Sequence, residues 1–310
     1  MLDRITVKVP ATSANMGPGF DCMAIALDIW NSVTVELGKK GFQVCGEGAE
    51  SLSQGSTNLV AQSFRKAFEE SGRKPPNTKF TCNNGIPLAK GLGSSSAAVV
   101  SGLVAGNEFS GNHLSQSDLL RLATEIEGHP DNVSAALLGG CQIVIEDDGK
   151  LITSRVSVPN DLKAVVFVPN TPMPTEKARN LLTPNVDRAN AVFNVGRAAL
   201  LINALATGDL ANLKVATQDR LHQPDRSVIF PSMKVIIQAA LNAGAHGGFL
   251  SGAGSSILAL ATEREITIGY EMAEAASKSG IEGVFEVVHL SEQGAHVGND
   301  SMGITVNRQY

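Results

Sequence analysis

The chain has 310 residues, 43% of them hydrophobic, and a net charge of −5 with the two signs interspersed. That length accommodates one large domain or two ordinary ones, each with its own core. The acidic balance argues against nucleic acid as the main partner, because a phosphate backbone calls for a basic surface, but it leaves room for a local basic pocket.

Taken in chain order, the N-terminal stretch DRITVKVPAT has no apolar h-region, and no run of about 18 apolar residues follows it. A cytoplasmic protein without a membrane segment is therefore expected. Ile5, Val7 and Val9 alternate with polar residues, which predicts a strand that Pro10 stops. Ala11 to Asp28, ATSANMGPGFDCMAIALD, reads as an extended loop carrying Asn15 and Asp21. Val33, Val35 and Leu37 alternate again. Val60, Phe64, Ala67 and Phe68 predict a helix over 58–71 with Gly72 as its C-cap. Lys79–Cys82 reads as a strand. Then comes PLAKGLGSSSAAVV, two glycines and three serines ahead of a small, apolar helical run.

Leu119, Leu122, Ala123 and Ile126 line a further helix that ends near Glu127. GHPDN is a turn, and Asp131 or Asn132 caps a short helix ending at Gly139–Gly140. CQIVIE is a strand closed by the turn DDGK. After about Arg155 the pattern restarts with the apolar run KAVVFV, a strand covered on both faces. Helical stretches are expected at 174–182, 187–206, 209–220, 231–243 and 265–279, with GGFLSGAGSSILALA as loop then strand and FEVVHL as the last strand. Interleaved strands and helices give an α+β or α/β class in two subdomains, 1–155 and 156–310, although no Pro/Gly-rich linker marks the boundary. Cys22, Cys45, Cys82 and Cys141 lack C-x-x-C spacing and read as buried small hydrophobes, so neither zinc nor a disulfide framework is expected.

Two readings fit the Gly/Ser loop. A helix N-terminus has free N–H groups and a positive dipole end, and glycines let backbone approach a phosphate closely. The small residues that follow also suit tight helix packing. The loop has neither G-x-x-x-x-G-K-[ST] nor the third glycine of a dinucleotide fingerprint, and G-x-S-x-G is absent. A second glycine-rich loop, SGAGSSI from Ser251, together with Glu127 and the turn Gly128–Asn132, points to one assembled site.

The P-x-x-x-G-L-G-S-S-S-A loop with a late G-A-G-S-S loop resembles the GHMP kinases. SANMGPGFD (Ser13–Asp21), EGHPDN (Glu127–Asn132), TEKAR (Thr175–Arg179) and QPDR (Gln223–Arg226) are similar to the members that act on homoserine, and the resemblance runs from about residue 5 to about 260. It implies an α+β fold of two subdomains, the first with a left-handed β-α-β crossover and the second ferredoxin-like. It implies phosphorylation of the L-homoserine side-chain hydroxyl by ATP with Mg²⁺, on the route to threonine, and a homodimer. Lys90, Gly91, Leu92, Gly93, Ser94, Ser95 and Ser96 would hold the phosphates, although Lys90 reads equally as a solvated loop lysine. Ser95 and Glu127, or alternatively Glu125, would hold the metal. Asn58 would lie near the adenine or simply cap its helix. Asn15 and Asp21 would orient the reacting hydroxyl, with Asp21 either taking its proton or only positioning it. Asp21 or Asp131 would accept the ammonium, Arg179 and Arg226 the carboxylate, with Thr175, His129 and Asn132 completing the wall. Glu176 is an acidic neighbour where the pattern calls for a neutral or basic one. Two rivals stay open: a family kinase for mevalonate-type or sugar alcohols, and a paralogue that senses ATP and a metabolite without turnover.

Overall fold

Val7, Val9 and Ala11 are fully buried, and the strand that carries them, β1 (Arg4–Ala14), pairs antiparallel with β2 (Met23–Leu37) along its whole length. This computed structural model describes residues 3–298 and the backbone of 308–309. Pro10 does not stop the strand as expected. The register shifts between Pro10 and Ala11, and a bulge there accommodates a residue without an N–H. The expected loop from Ala11 to Asp28 shrinks accordingly to a turn over 15–22, because Ala11, Thr12, Ser13 and Ala14 are small, fully buried and paired with β2.

β3 (Gly41–Gly46), α1 (Leu59–Glu70) and β4 (Thr78–Asn84) form the β-α-β unit, with β3 and β4 parallel neighbours. α2 (Ser94–Ser110), α3 (Gln116–Glu127) and α4 (Asp131–Leu138) follow, then the hairpin β5 (Cys141–Asp147) and β6 (Lys150–Val156). Among the described residues the first sheet has eight strands. α1 packs on α2 at backbone distance: a Cβ on Gly102 would sit 2.4 Å from the Val60 carbonyl oxygen, and one on Gly106 2.6 Å from that of Phe64. The small residues of α2 thus serve packing, as one of the two readings of that run expected.

The second unit is built from β7 (Lys163–Pro169), α5 (Thr175–Arg179), α6 (Arg188–Thr207), α7 (Leu213–Ala216), α8 (Gln223–Arg226), α9 (Met233–Ala243), β8 (Gly247–Leu250), β9 (Ile257–Ala261), α10 (Glu265–Lys278) and β10 (Gly283–His289). Its antiparallel sheet runs β10-β7-β9-β8, the ferredoxin-like order. The long helix expected over 209–220 is broken. A 3₁₀ turn, Leu210–Asn212, precedes the four-residue α7. The Asp219 carboxylate then accepts the N–H groups of Leu221, His222 and Gln223, an arrangement that competes with continued helix.

α6 is 20 residues long, and its most apolar 18-residue stretch has a mean hydropathy of 1.2, so by length and composition it passes for a membrane span, against the expectation of no such segment. Here it is docked on the protein through buried Asn194, Leu201, Ala204 and Leu205. The second unit also does not run to residue 310. From Leu290 the chain returns to the first sheet, where β11 (His296–Gly298) pairs with β1 and β12 (Arg308–Gln309) pairs with β11.

Candidate active site

The turn after β1 carries Asn15, Met16 and Asp21 at φ values of 68°, 44° and 57°, the left-handed region that non-glycine residues occupy at a cost. The Asn15 amide sustains it. Its Nδ2 donates to the Gly252 carbonyl at 2.9 Å, and its Oδ1 accepts the Asp21 N–H at 3.0 Å. Asp21 then meets Arg179 of α5 in a two-pronged ion pair, 2.8 and 2.9 Å. The Asp21 hydrogen bond holds the Arg179 guanidinium above its ordinary pKa.

Gly91 and Gly93 both have positive φ, and both are close approaches. A Cβ on Gly91 would lie 2.1 Å from the Ser251 carbonyl oxygen, and one on Gly93 2.0 Å from Thr12 Oγ1. The two glycine-rich loops therefore pack directly on each other, and α2 starts at Ser94 with its first-turn N–H groups lacking intrahelical partners. Ser95 and Ser96 donate to the two oxygens of Glu127 at 2.5 and 2.8 Å. Glu125 instead pairs with Arg121 at 2.5 Å on the exposed side of α3, away from the serines. The Lys90 ammonium donates to the carbonyls of Pro169 and Asn170, at 2.6 and 2.5 Å, so it is not a free solvated lysine. Burial lowers its pKa.

In the 129–132 turn, Asp131 is 2% exposed. It receives His129 Nδ1 at 2.8 Å and the Asn132 N–H at 2.7 Å. Burial works against a charge on His129, but the Asp131 hydrogen bond and charge outweigh it and raise the imidazole above its ordinary value. Asn132 Oδ1 accepts from Thr12 Oγ1 at 2.7 Å. Arg226, also 2% exposed, donates to the Gly252 carbonyl at 2.9 Å. Burial and the neighbouring Arg179 push its pKa down to about 10.

These groups surround one small pocket of about 90 Å³, lined by Asn15, Asp21, residues 90–96, Glu127, His129, Asp131, Asn132, Arg179 and Arg226. An adjoining, mostly apolar cavity of about 540 Å³ shares Ser94 and Ser95 with it. Asn58 caps α1, accepting from the Val60 N–H at 3.0 Å, and also lines that cavity. The Thr175 side chain lies outside the described residues. Among those residues no cluster of three or more His, Cys, Asp or Glu is set to hold a metal. A carboxylate beside serine hydroxyls at a helix N-terminus is instead the donor set for a hard cation shared with phosphate oxygens, and it fits Mg²⁺ bound with a nucleotide.

The profile of the GHMP kinases N terminal domain matches residues 58–140, and that of the GHMP kinases C terminal domain matches residues 201–278. The chain is 44% identical to homoserine kinase of Caldicellulosiruptor saccharolyticus over 260 residues, covering 84% of each protein. The chain belongs to the GHMP kinase family. A second relative, homoserine kinase of Nostoc punctiforme, is 41% identical over 95% of this chain and 98% of its own. The crystal structure of homoserine kinase from Cytophaga hutchinsonii superposes with a TM-score of 0.87 at 32% identity, covering 96% of this chain and 98% of that one. L. major mevalonate kinase shares the fold at a TM-score of 0.66 and 15% identity, over 93% and 95% of the two chains.

Several groups that support the pocket of this GHMP kinase are not singled out by the sequence motifs. Thr12 and Ser251 lie in the ATSANMGPGFD and SGAGSSI stretches, but nothing local distinguishes them there. The Gly252 carbonyl, which holds both Asn15 and Arg226, carries no side-chain signal at all. His222 stands directly before the QPDR motif, and that adjacency was the available clue.

Proposed function

We infer that the protein is a homoserine kinase, transferring the γ-phosphoryl group of ATP to the side-chain hydroxyl of L-homoserine to give O-phospho-L-homoserine and ADP. The observation that carries this reading is the Asp21–Arg179 pair lining the same pocket as Ser94–Ser96 and Glu127. An α-amino acid brings one ammonium and one carboxylate. It replaces each half of that pair with its own opposite charge: Asp21 for the ammonium, Arg179 and Arg226 for the carboxylate. Mevalonate has no ammonium and a sugar has neither group, so either would break the pair and leave a charge unmatched. Asp131 is already engaged by His129 and Asn132, which favours Asp21 for the ammonium. The curated relatives named homoserine kinase support the same substrate.

Phosphoryl transfer asks mainly for positioning and charge neutralisation. In this reading the apolar cavity beside Asn58 takes the adenine, and the α2 N-terminus takes the phosphates through the N–H groups of Ser94–Ser96 and the helix dipole. Ser95 and Glu127 would hold Mg²⁺, which supplies positive charge against the phosphate oxygens. Asn15 keeps one donor and one acceptor position beyond its two internal bonds, and these orient the hydroxyl with Asp21. His129 and Asn132 wall the pocket, Thr175 joins them by family pattern, and Lys90 anchors its loop. The hydroxyl attacks in line with the leaving oxygen, and its proton passes to Asp21 or to a phosphate oxygen. A homodimer and a cytoplasmic location are proposed on the family resemblance, and light scattering tests the first.

ADP release with ATP·Mg²⁺ and L-homoserine, D-homoserine, L-serine, L-threonine, mevalonate or galactose tests the assignment. Turnover confined largely to L-homoserine is expected. Turnover with mevalonate or galactose, or with none of the panel, would overturn it.

A further inference from the structure

Arg226 is almost wholly buried, so what it offers the pocket is decided by what holds it from behind. Its Nη1 lies 2.9 Å from the Gly252 carbonyl oxygen and 2.8 Å from His222 Nδ1. His222 is itself 0% exposed, and its other ring nitrogen, Nε2, lies 2.9 Å from the Gly17 carbonyl oxygen. A carbonyl only accepts and a guanidinium only donates. These two contacts define one tautomer: Nε2 carries the proton and donates to Gly17, while Nδ1 presents its lone pair to Arg226. A charged imidazolium would set N–H against N–H there. Burial outweighs the Asp219 carboxylate, whose Oδ2 lies 3.5 Å from Nε2, and with Arg226 nearby it pushes the pKa of the ring down to about 4.

The surroundings fix the ring further. The Asp219 carboxylate, which holds the turn leading into α8, also accepts from Asn194 Nδ2 at 2.7 Å. Phe20 stacks on the imidazole at 5.3 Å between ring centroids, and the Arg226 guanidinium lies 5.6 Å from the same Phe20 ring. Gly17 and Phe20 belong to the turn that presents Asn15 and Asp21. One histidine therefore ties the arginine of α8 to the turn carrying the opposite charge. Arg226 Nε is buried with no acceptor among the described residues, so the guanidinium keeps unspent donor capacity.

We propose that His222 is a positioning residue for acceptor binding, its neutral Nε2–H tautomer locking Arg226 against the 15–21 turn so that the guanidinium is set to receive a substrate carboxylate. This rests on the reading of Arg226 as a partner of the carboxylate.

Steady-state kinetics of Arg226→Lys, His222→Gln and His222→Asn test it, with L-homoserine and with 3-aminopropan-1-ol, which has the ammonium and hydroxyl but no carboxylate. Asn keeps an acceptor at the Nδ1 position, whereas Gln keeps a donor near Nε2 and loses that acceptor. His222→Gln is expected to raise KM for L-homoserine about tenfold, the scale of a lost hydrogen bond to a charged group, with kcat and KM for ATP within about threefold. His222→Asn is expected to recover most of that loss, and neither variant to lower kcat/KM for 3-aminopropan-1-ol. Equal losses in Asn and Gln, or equal losses on both acceptors, would assign His222 a merely structural role and overturn the proposal. An unchanged KM in Arg226→Lys would overturn the carboxylate reading itself. A raised KM in Arg226→Lys alone, with none in His222→Gln, would overturn only the role of His222. A measurement on the unmutated protein needs no variant to fold: ¹⁵N-histidine NMR is expected to show His222 Nδ1 unprotonated at neutral pH, and a protonated Nδ1 would overturn the tautomer and the proposal.

Discussion

Asp21 and Arg179 face each other across the acceptor pocket from the two units of the protein, oxygen to nitrogen at 2.8 and 2.9 Å, with side chains 33% and 40% exposed. A pair this open to water contributes little to stability, so a ligand exchanges for it at small cost. Asp21→Asn is expected to raise KM for L-homoserine at least tenfold, with kcat falling by less than about tenfold. A kcat loss of about a hundredfold or more at unchanged KM would instead identify Asp21 as the group that takes the hydroxyl proton.

Glu127 and Glu125 are two residues apart on one helix and face different surroundings. Glu127→Gln removes the charge that the hydroxyls of Ser95 and Ser96 converge on. It is expected to lower kcat/KM for ATP by about a hundredfold and to raise the Mg²⁺ concentration needed for half-maximal rate. Glu125→Gln loses only an exposed pair with Arg121, and its kinetics are expected to stay within about twofold of the parent. Magnesium titrations of both variants check the contrast.

Two glycines separate backbone conformation from packing. Gly72→Ala meets no atom within 4 Å, at φ +71°, and is expected to cost about 1 kcal/mol, the penalty of a left-handed alanine. Gly91→Ala, at φ +77°, adds a collision with the Ser251 carbonyl oxygen at 2.1 Å. It is expected to cost at least about 3 kcal/mol, or to displace the SGAGSS loop and abolish ATP binding. Thermal melts and nucleotide titration distinguish these outcomes.

His222 gives stability a pH dependence of definite sign. Its folded pKa of about 4 lies below the ordinary 6.5, so between those values the unfolded chain binds a proton that the folded protein refuses. Stability is expected to fall as pH drops from about 6.5 to 4, and His222→Gln is expected to flatten that slope. His129 works the other way. Its raised pKa favours the folded state below the ordinary histidine range, and that contribution disappears as pH rises through the folded value. Denaturant titrations across pH 4–8 on the parent, His222→Gln and His129→Gln check both signs.

Side chains that speak through local motifs were legible in the sequence. Ser95, Glu127, Asp21, Arg179 and Arg226 sit in short stretches that resemble the family's motifs, and the fold brings them to one pocket. Contacts made across the chain were not legible. Gly91 reads as a flexible residue for a phosphate, while the structure also requires its bareness against Ser251, 160 positions away. His222 is ordinary until the carbonyl of Gly17, 205 positions earlier, accepts its Nε2–H. Pro10 misled because a proline signals a stop unless a bulge, visible only in the paired strand, absorbs it.

The return of the chain to β1 bears on how this protein divides. A cut between β6 and β7 would not yield two self-sufficient pieces, because the later piece carries away β11, which pairs with β1 of the earlier one. Topologically the molecule is a closed circuit, with the second unit inserted between strands of the first. Both connections to that inserted unit tether it, and the Asp21–Arg179 seam lies between the parts they join. A fragment ending near Val156 should therefore expose the edge of β1 and recover its fold only when the missing strand is supplied in trans.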